Sequence, residues 1–243
     1  MKLWRITFSH DAFYKLPEDT RIFWLQLAQI RNDLRTIDGI CIISINAVQQ
    51  KTGVEQSVGL HQLIFGVRQL CGTLEEAHKM VQKKWHGTGL SKQMSAALSQ
   101  KAKDGLKAFN KYFNSQNLVT IVRQKFVHHF DSEMLKDRLC NCTPDELHEF
   151  VTGRCAGNIF YTFAETLRHQ ALIRAAGELD LQSAVRKLYD EPRNAVLDPF
   201  EAFADDILLK IAENLDLKTE EVTVESPVDP KTIRPFLFFP EQS

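Results

Sequence analysis

After Pro17 the chain has no proline until Pro144. Proline lacks a backbone donor and clashes with the carbonyl one turn back, so this long gap leaves helices free to run without a forced break. Helical periodicity fills the gap. From Glu18 to Ile37 the apolar positions Ile22, Phe23, Leu25, Leu27, Ile30, Leu34 and Ile37 recur at three- and four-residue steps, and Gly39 reads as a stop. A second pattern runs from Val54 to Trp85, closed by Gly87 and Gly89, as one long helix or two joined near Gly72. A third, lysine-rich helix is expected from about Ser91 to Asn114, and a fourth from about Asn117 to Phe130. Between the first two, Ile40 to Val48 is β-branched enough for a strand and equally compatible with buried helix.

Beyond the gap, Thr143-Pro144-Asp145-Glu146 carries a capping box with proline in the first turn. Two more helical patterns follow, near Phe160–Tyr189 and Pro199–Leu215. Val222 to Pro240, with four prolines, reads as an extended tail. The expected fold is all-α: an up-and-down helical bundle over 1–142, and a C-terminal helical extension with an extended tail over 143–243, packed on the bundle or part of the same domain.

With 243 residues, 44% of them hydrophobic, the chain has material for a full core. The 11 glycines argue against linker-rich and many-turned all-β architectures. The N-terminal Met1-Lys2-Leu3-Trp4-Arg5 is too interrupted for a secretory signal, and no run reaches the length of a membrane span, so a cytoplasmic protein without membrane association is expected. Five cysteines without a scaffold-like spacing fit reduced thiols.

The net charge of -1 excludes a bulk electrostatic case for nucleic acid, but the charge is polarised along the chain. Residues 79–138 hold twelve basic side chains against four acidic, and the remainder holds 18 against 27. Basic helices converging on one cleft would attract a polyanion; the plainer reading is a solvated lysine face.

Chemistry concentrates in Leu118-Val119-Thr120-Ile121-Val122-Arg123-Gln124-Lys125-Phe126-Val127-His128-His129-Phe130-Asp131. Val119, Val122, Phe126 and Phe130 form the expected buried stripe. On one helix Arg123 and His129 are about 120° apart around the axis and roughly 9 Å apart along it, and Arg123 and His128 are about 140° apart. Neither pair shares a face. A two-fold axis packing two copies of this helix together would gather two arginines and two histidines, because an isologous contact repeats each group.

The phrase from Val122 to Asp131 resembles the Arg-x4-6-His signature of HEPN domains, in the variant Ile-Arg-Asn-Lys-Phe-x-x-His-aromatic-Asp, with Arg123 and His129 as the signature pair. Gln124 stands where many active members carry Asn, Asp or His. The resemblance spans about Glu18 to Leu139 and implies an all-α bundle, a homodimer with both motifs at one cleft, and metal-independent RNA cleavage by toxin or defence proteins. It also admits a noncatalytic module that binds a nucleotide, RNA or a protein. The partners implied are RNA, a second copy of the chain and an antitoxin or other protein.

In the catalytic reading, His129 takes the proton from an RNA 2′-hydroxyl as it attacks the neighbouring phosphate, and Arg123 holds the non-bridging oxygens. The products would carry cyclic phosphate ends. His128 is a candidate acid for the leaving oxygen, and Gln124 and Lys125 are candidates for positioning phosphate. No cofactor or metal is expected: Cys140, Cys142, His148 and Cys155 follow no common zinc spacing, and His78 and His86 read as surface residues. The aromatic group Phe160, Tyr161 and Phe163 reads as core.

Overall fold

A computed structural model describes residues 1–124, 136, 139–140, 150–152, 159–178 and 181–225. The chain is mostly α-helical, with one small sheet among the described residues. In order the elements are β1 (Lys2–Thr7), α1 (His10–Tyr14), α2 (Glu18–Gln50), α3 (Gly53–Lys84), α4 (Gly89–Met94), α5 (Gln100–Phe113), α6 (Leu118–Val122), α7 (Thr162–Ala175), α8 (Leu181–Pro192), a π-helical segment (Arg193–Leu197), α9 (Asp198–Ala212) and β2 (Lys218–Thr223). They form two compact units, each built from separate stretches of chain.

Unit 1 comprises Met1–Arg35, Thr73–Asn117 and Arg193–Val228. Its core is aromatic. Trp85 stands 5.9 Å from Phe23 and 5.2 Å from Phe203, and Phe109 lies 5.1 Å from Phe200, all five fully buried. The amphipathic α5 supplies Ala102, Gly105 and Phe109 to this core, and Ser99 caps it by accepting from the Ala102 amide. Gly105 is needed for the approach of α9, since a Cβ there would stand 2.5 Å from the Pro199 carbonyl oxygen. Pro192 has no amide hydrogen to continue the ladder, and wider π turns from Arg193 to Leu197 lead into α9. Arg31 ties α2 to α9 through Glu201 and Asp205 at 2.9 and 2.8 Å.

The strands β1 and β2 pair antiparallel, Lys2 opposite Thr223 and Thr7 opposite Lys218. Ion pairs Lys2–Glu221 and Arg5–Glu220 cross them. The tail expected from Val222 therefore begins inside a strand, and the N-terminal residues that pair with it carry no turn or period signal strong enough to announce it. The rest of the tail lies outside the described residues.

Among the described residues, unit 2 comprises those of Thr36–Gly72 and Leu118–Pro192. Here the second half of α2 packs on the first half of α3 with little space between them: a Cβ on Gly59 would meet the Ala47 Cβ at 2.8 Å, and one on Gly66 the Cys41 Sγ at 2.7 Å. Gly53, at φ +59, takes the left-handed conformation at the turn between the helices. α7 ends on Gly177 at φ +73, whose amide donates to the Arg174 carbonyl. The Tyr189 hydroxyl on α8 donates to Asp38 on α2 at 2.7 Å.

Several expectations are corrected. Gly39 does not stop α2, which continues to Gln50 and absorbs Ile40–Val48 as helix; Gly39 keeps an ordinary negative φ there. α3 is one helix through Gly72. The lysine-rich third helix is two, α4 and α5, because Thr88 and Ser99 each cap a separate start. Pattern near 160–189 likewise divides into α7 and α8. The capped start at Thr143 lies outside the described residues.

Candidate functional site

Leu118, Val119 and Val122 are buried in α6, so the apolar stripe expected for the motif is in place as far as it is described. Arg123 follows Val122 in a π-type turn and is half-buried, and Gln124 is exposed. Lys125, His128 and His129 lie outside the described residues, as do Cys142, His148 and Cys155. Cys140 is a free, exposed thiol.

The basic stretch is divided between the units. Lys79, Lys83, Lys84, Lys92, Lys101, Lys103, Lys107 and Lys111 belong to unit 1, and Arg123 and Lys136 to unit 2. Along α5, Lys103, Lys107 and Lys111 repeat every four residues on the exposed face opposite Ala102, Gly105 and Phe109, as a solvated helix face requires. Lys79 is paired with Glu75 and Glu76. Lys83 and Lys84 line a cavity of about 420 Å³ together with Asp19, Thr20 and Thr88. His78 is no open surface group: it stacks on Phe113 at 4.2 Å, and burial pushes its pKa down. Tyr161 is exposed beside Phe150 rather than in the core, because it stands at the entry to α7 just after the Val151–Phe160 bridge.

The densest collection of ionisable groups among the described residues lies inside unit 2. His61 on α3 meets Glu165, Arg168 and His169 on α7. Glu165 and His169 are four residues apart and share a helix face. His61 Nδ1 is 2.8 Å from Glu165 Oε2, and His169 Nε2 is 3.6 Å from the same oxygen. Arg168 Nη2 also contacts Oε2 and lies 3.2 Å from His61 Nδ1. One carboxylate oxygen thus has three nitrogen groups around it, within hydrogen-bond reach of His61 and Arg168 but not of His169, whose buried Nε2 has no hydrogen-bond partner among the described residues.

The electrostatics follow from this crowding. Burial pushes Glu165 up, but the hydrogen bond and charge of His61 and the nearby Arg168 and His169 outweigh it, leaving the carboxyl below its ordinary value. His169 is pushed down to about 4, chiefly by burial, opposed by Glu165 and assisted by the positive Arg168 and His61. Arg68, on α3, is lowered by burial and by Arg168, with Glu165 opposing. His61 Nδ1 has two incompatible demands on it. Toward Glu165 it must carry a proton, and toward the donor-only guanidinium of Arg168 it must offer a lone pair.

Sequence reasoning missed this cluster. The Glu-x-x-x-His spacing of Glu165 and His169 on a helical pattern was the available signal, but His61, more than a hundred residues earlier, has nothing in its neighbourhood to join it to them. Compared with known proteins, the chain matches no family model, no curated protein and no solved structure.

Proposed function

We propose that the chain is a metal-independent endoribonuclease of the HEPN type, acting as a homodimer in a toxin or defence role, with Arg123 and His129 as its working pair. The observation that carries the reading is the Arg-x5-His spacing in Val122–Asp131, whose first member, Arg123, directly follows the buried Leu118, Val119 and Val122 and keeps partial exposure. A guanidinium tethered to a packed helix yet reachable by solvent suits an anionic transition state, because little side-chain freedom has to be lost when phosphate arrives. His129 supplies the general base that accepts the 2′-hydroxyl proton. Arg123 stabilises the charge that builds on the non-bridging oxygens, His128 protonates the leaving oxygen, and Gln124 and Lys125 hold flanking phosphate.

The test is cleavage of single-stranded RNA by the purified full chain in excess EDTA, with end-group analysis and light scattering for oligomeric state. Cyclic phosphate ends, a dimer, and loss of cleavage in His129→Ala and Arg123→Ala are expected. Cleavage unchanged in His129→Ala overturns the assignment. Retention of RNA without cleavage by the intact chain would make it the noncatalytic binding module instead.

A further inference from the structure

The groups of unit 2 that the ribonuclease reading leaves unused have the composition of a metal site. A ring nitrogen of His61, a ring nitrogen of His169 and a Glu165 oxygen all lie within 4.8 Å of one another. Four-coordinate zinc holds nitrogen and oxygen ligands at about 2.0–2.2 Å, which sets neighbouring ligand atoms roughly 3.3 Å apart. The observed separations of 2.8 Å and 3.6 Å from Oε2 fall on either side of that figure. His169 adds an independent pointer: it is 6% exposed, and its Nε2 faces this space without a hydrogen-bond partner among the described residues.

Arg168 completes the argument. Its Nη2 touches Glu165 Oε2 and approaches His61 Nδ1, so a positive group already stands where a cation would sit. It donates to the carboxylate and toward His61 Nδ1, but it leaves the buried Nε2 of His169 without a hydrogen-bond partner among the described residues. A divalent ion satisfies all three ligands at once.

We infer that His61, Glu165 and His169 bind a zinc-class divalent cation that ties α3 to α7, and that Arg168 holds the cation's place in the metal-free protein and yields it on binding. This site shares no residue with the pair assigned to RNA cleavage, so either reading can fail without the other.

The test is titration of the EDTA-stripped and desalted full chain with cobalt(II), followed by visible absorption and by calorimetry. A one-to-one tetrahedral d–d band without thiolate-to-cobalt charge transfer is expected, the latter absence separating these ligands from the cysteines. His61→Gln and His169→Gln should each weaken binding at least about tenfold with helical circular dichroism retained. Arg168→Met should tighten it about tenfold by removing a competing positive charge. If His169→Gln does not fold, the half-buried His61→Gln decides. No cobalt uptake by the intact chain, uptake indifferent to both histidine variants, or weaker binding in Arg168→Met overturns the proposal.

Discussion

His61 and Glu165 stand 104 residues apart in sequence and 2.8 Å apart in space, with the Arg168 guanidinium on the same carboxylate oxygen. Their contact joins α3 to α7 through charge, and it makes unit 2 sensitive to pH.

Acid should destabilise the metal-free protein in a defined window. His169 titrates near 6.5 when unfolded and at about 4 when folded, so below pH 6.5 the unfolded chain binds the proton first and stability falls as pH falls. By pH 4 the loss from this residue is about 3 kcal/mol. Glu165, held below its ordinary value, acts in the same direction at the acid end of the window, where the unfolded carboxyl is protonated before the folded one. Urea unfolding in EDTA at pH 7 and pH 4.5 should show the drop, and His169→Gln should flatten it; equal slopes in both proteins would refute the assignment.

Two glycine-to-alanine changes should have opposite signs. Gly39 lies inside α2 with open space around it, and Gly39→Ala should stabilise by about 0.5–1 kcal/mol through helix propensity and reduced unfolded-state freedom. Gly105→Ala would press a methyl group to 2.5 Å from the Pro199 carbonyl oxygen and to 3.2 Å from the Ala202 Cβ, and should cost about 1–3 kcal/mol despite the same propensity gain. Thermal unfolding of the pair checks both, since a shared sign would contradict the close packing of α5 on α9.

Tyr189→Phe should cost about 1.5 kcal/mol, the low end for a hydrogen bond to a charged group, because Asp38 keeps some contact with solvent. The phenyl ring still fills its buried position, so the loss reports the hydroxyl. Denaturant midpoints at unchanged slope provide the measurement.

Thiol reactivity should separate the cysteines. Burial, with the Asp38 charge assisting, pushes Cys41 up to about 12, whereas Cys140 is exposed. Iodoacetamide at neutral pH should therefore label Cys140 in the native protein and spare Cys41 until denaturant is added, as peptide mass mapping would show. Native labelling of Cys41 would contradict its burial against Gly66.

Much of the helical character was legible because it is local. The apolar steps through Phe23, Leu27 and Leu34 describe a face that is buried in α2, and those from Leu63 to Val81 do the same in α3. Boundaries were less legible. Gly39 has the identity of a stop signal, but its cost of about 1 kcal/mol is small beside the burial of Leu34, Cys41 and Ala47 on either side of it. The pairing of β1 with β2 joins the two ends of the described chain, a distance over which no periodic pattern carries information. The Arg-x5-His spacing is a short-range pattern and so was legible in the sequence, whereas His61 could be joined to Glu165 and His169 only by the fold.

By itself, the amino-acid sequence determined that this chain is mostly helical, that its positive charge gathers in 79–138, and that Arg123 and His129 stand six positions apart in one segment, because composition and short-range periodicity act through neighbours a few residues away. Tertiary structure alone decided that α2 and α3 each contribute to two compact units, that the lysines of α5 and Arg123 belong to different ones, and that two imidazoles and a guanidinium crowd one carboxylate. These are long-range consequences of burying apolar faces together, and side-chain chemistry distant in the chain becomes a site only after that burial has chosen its neighbours.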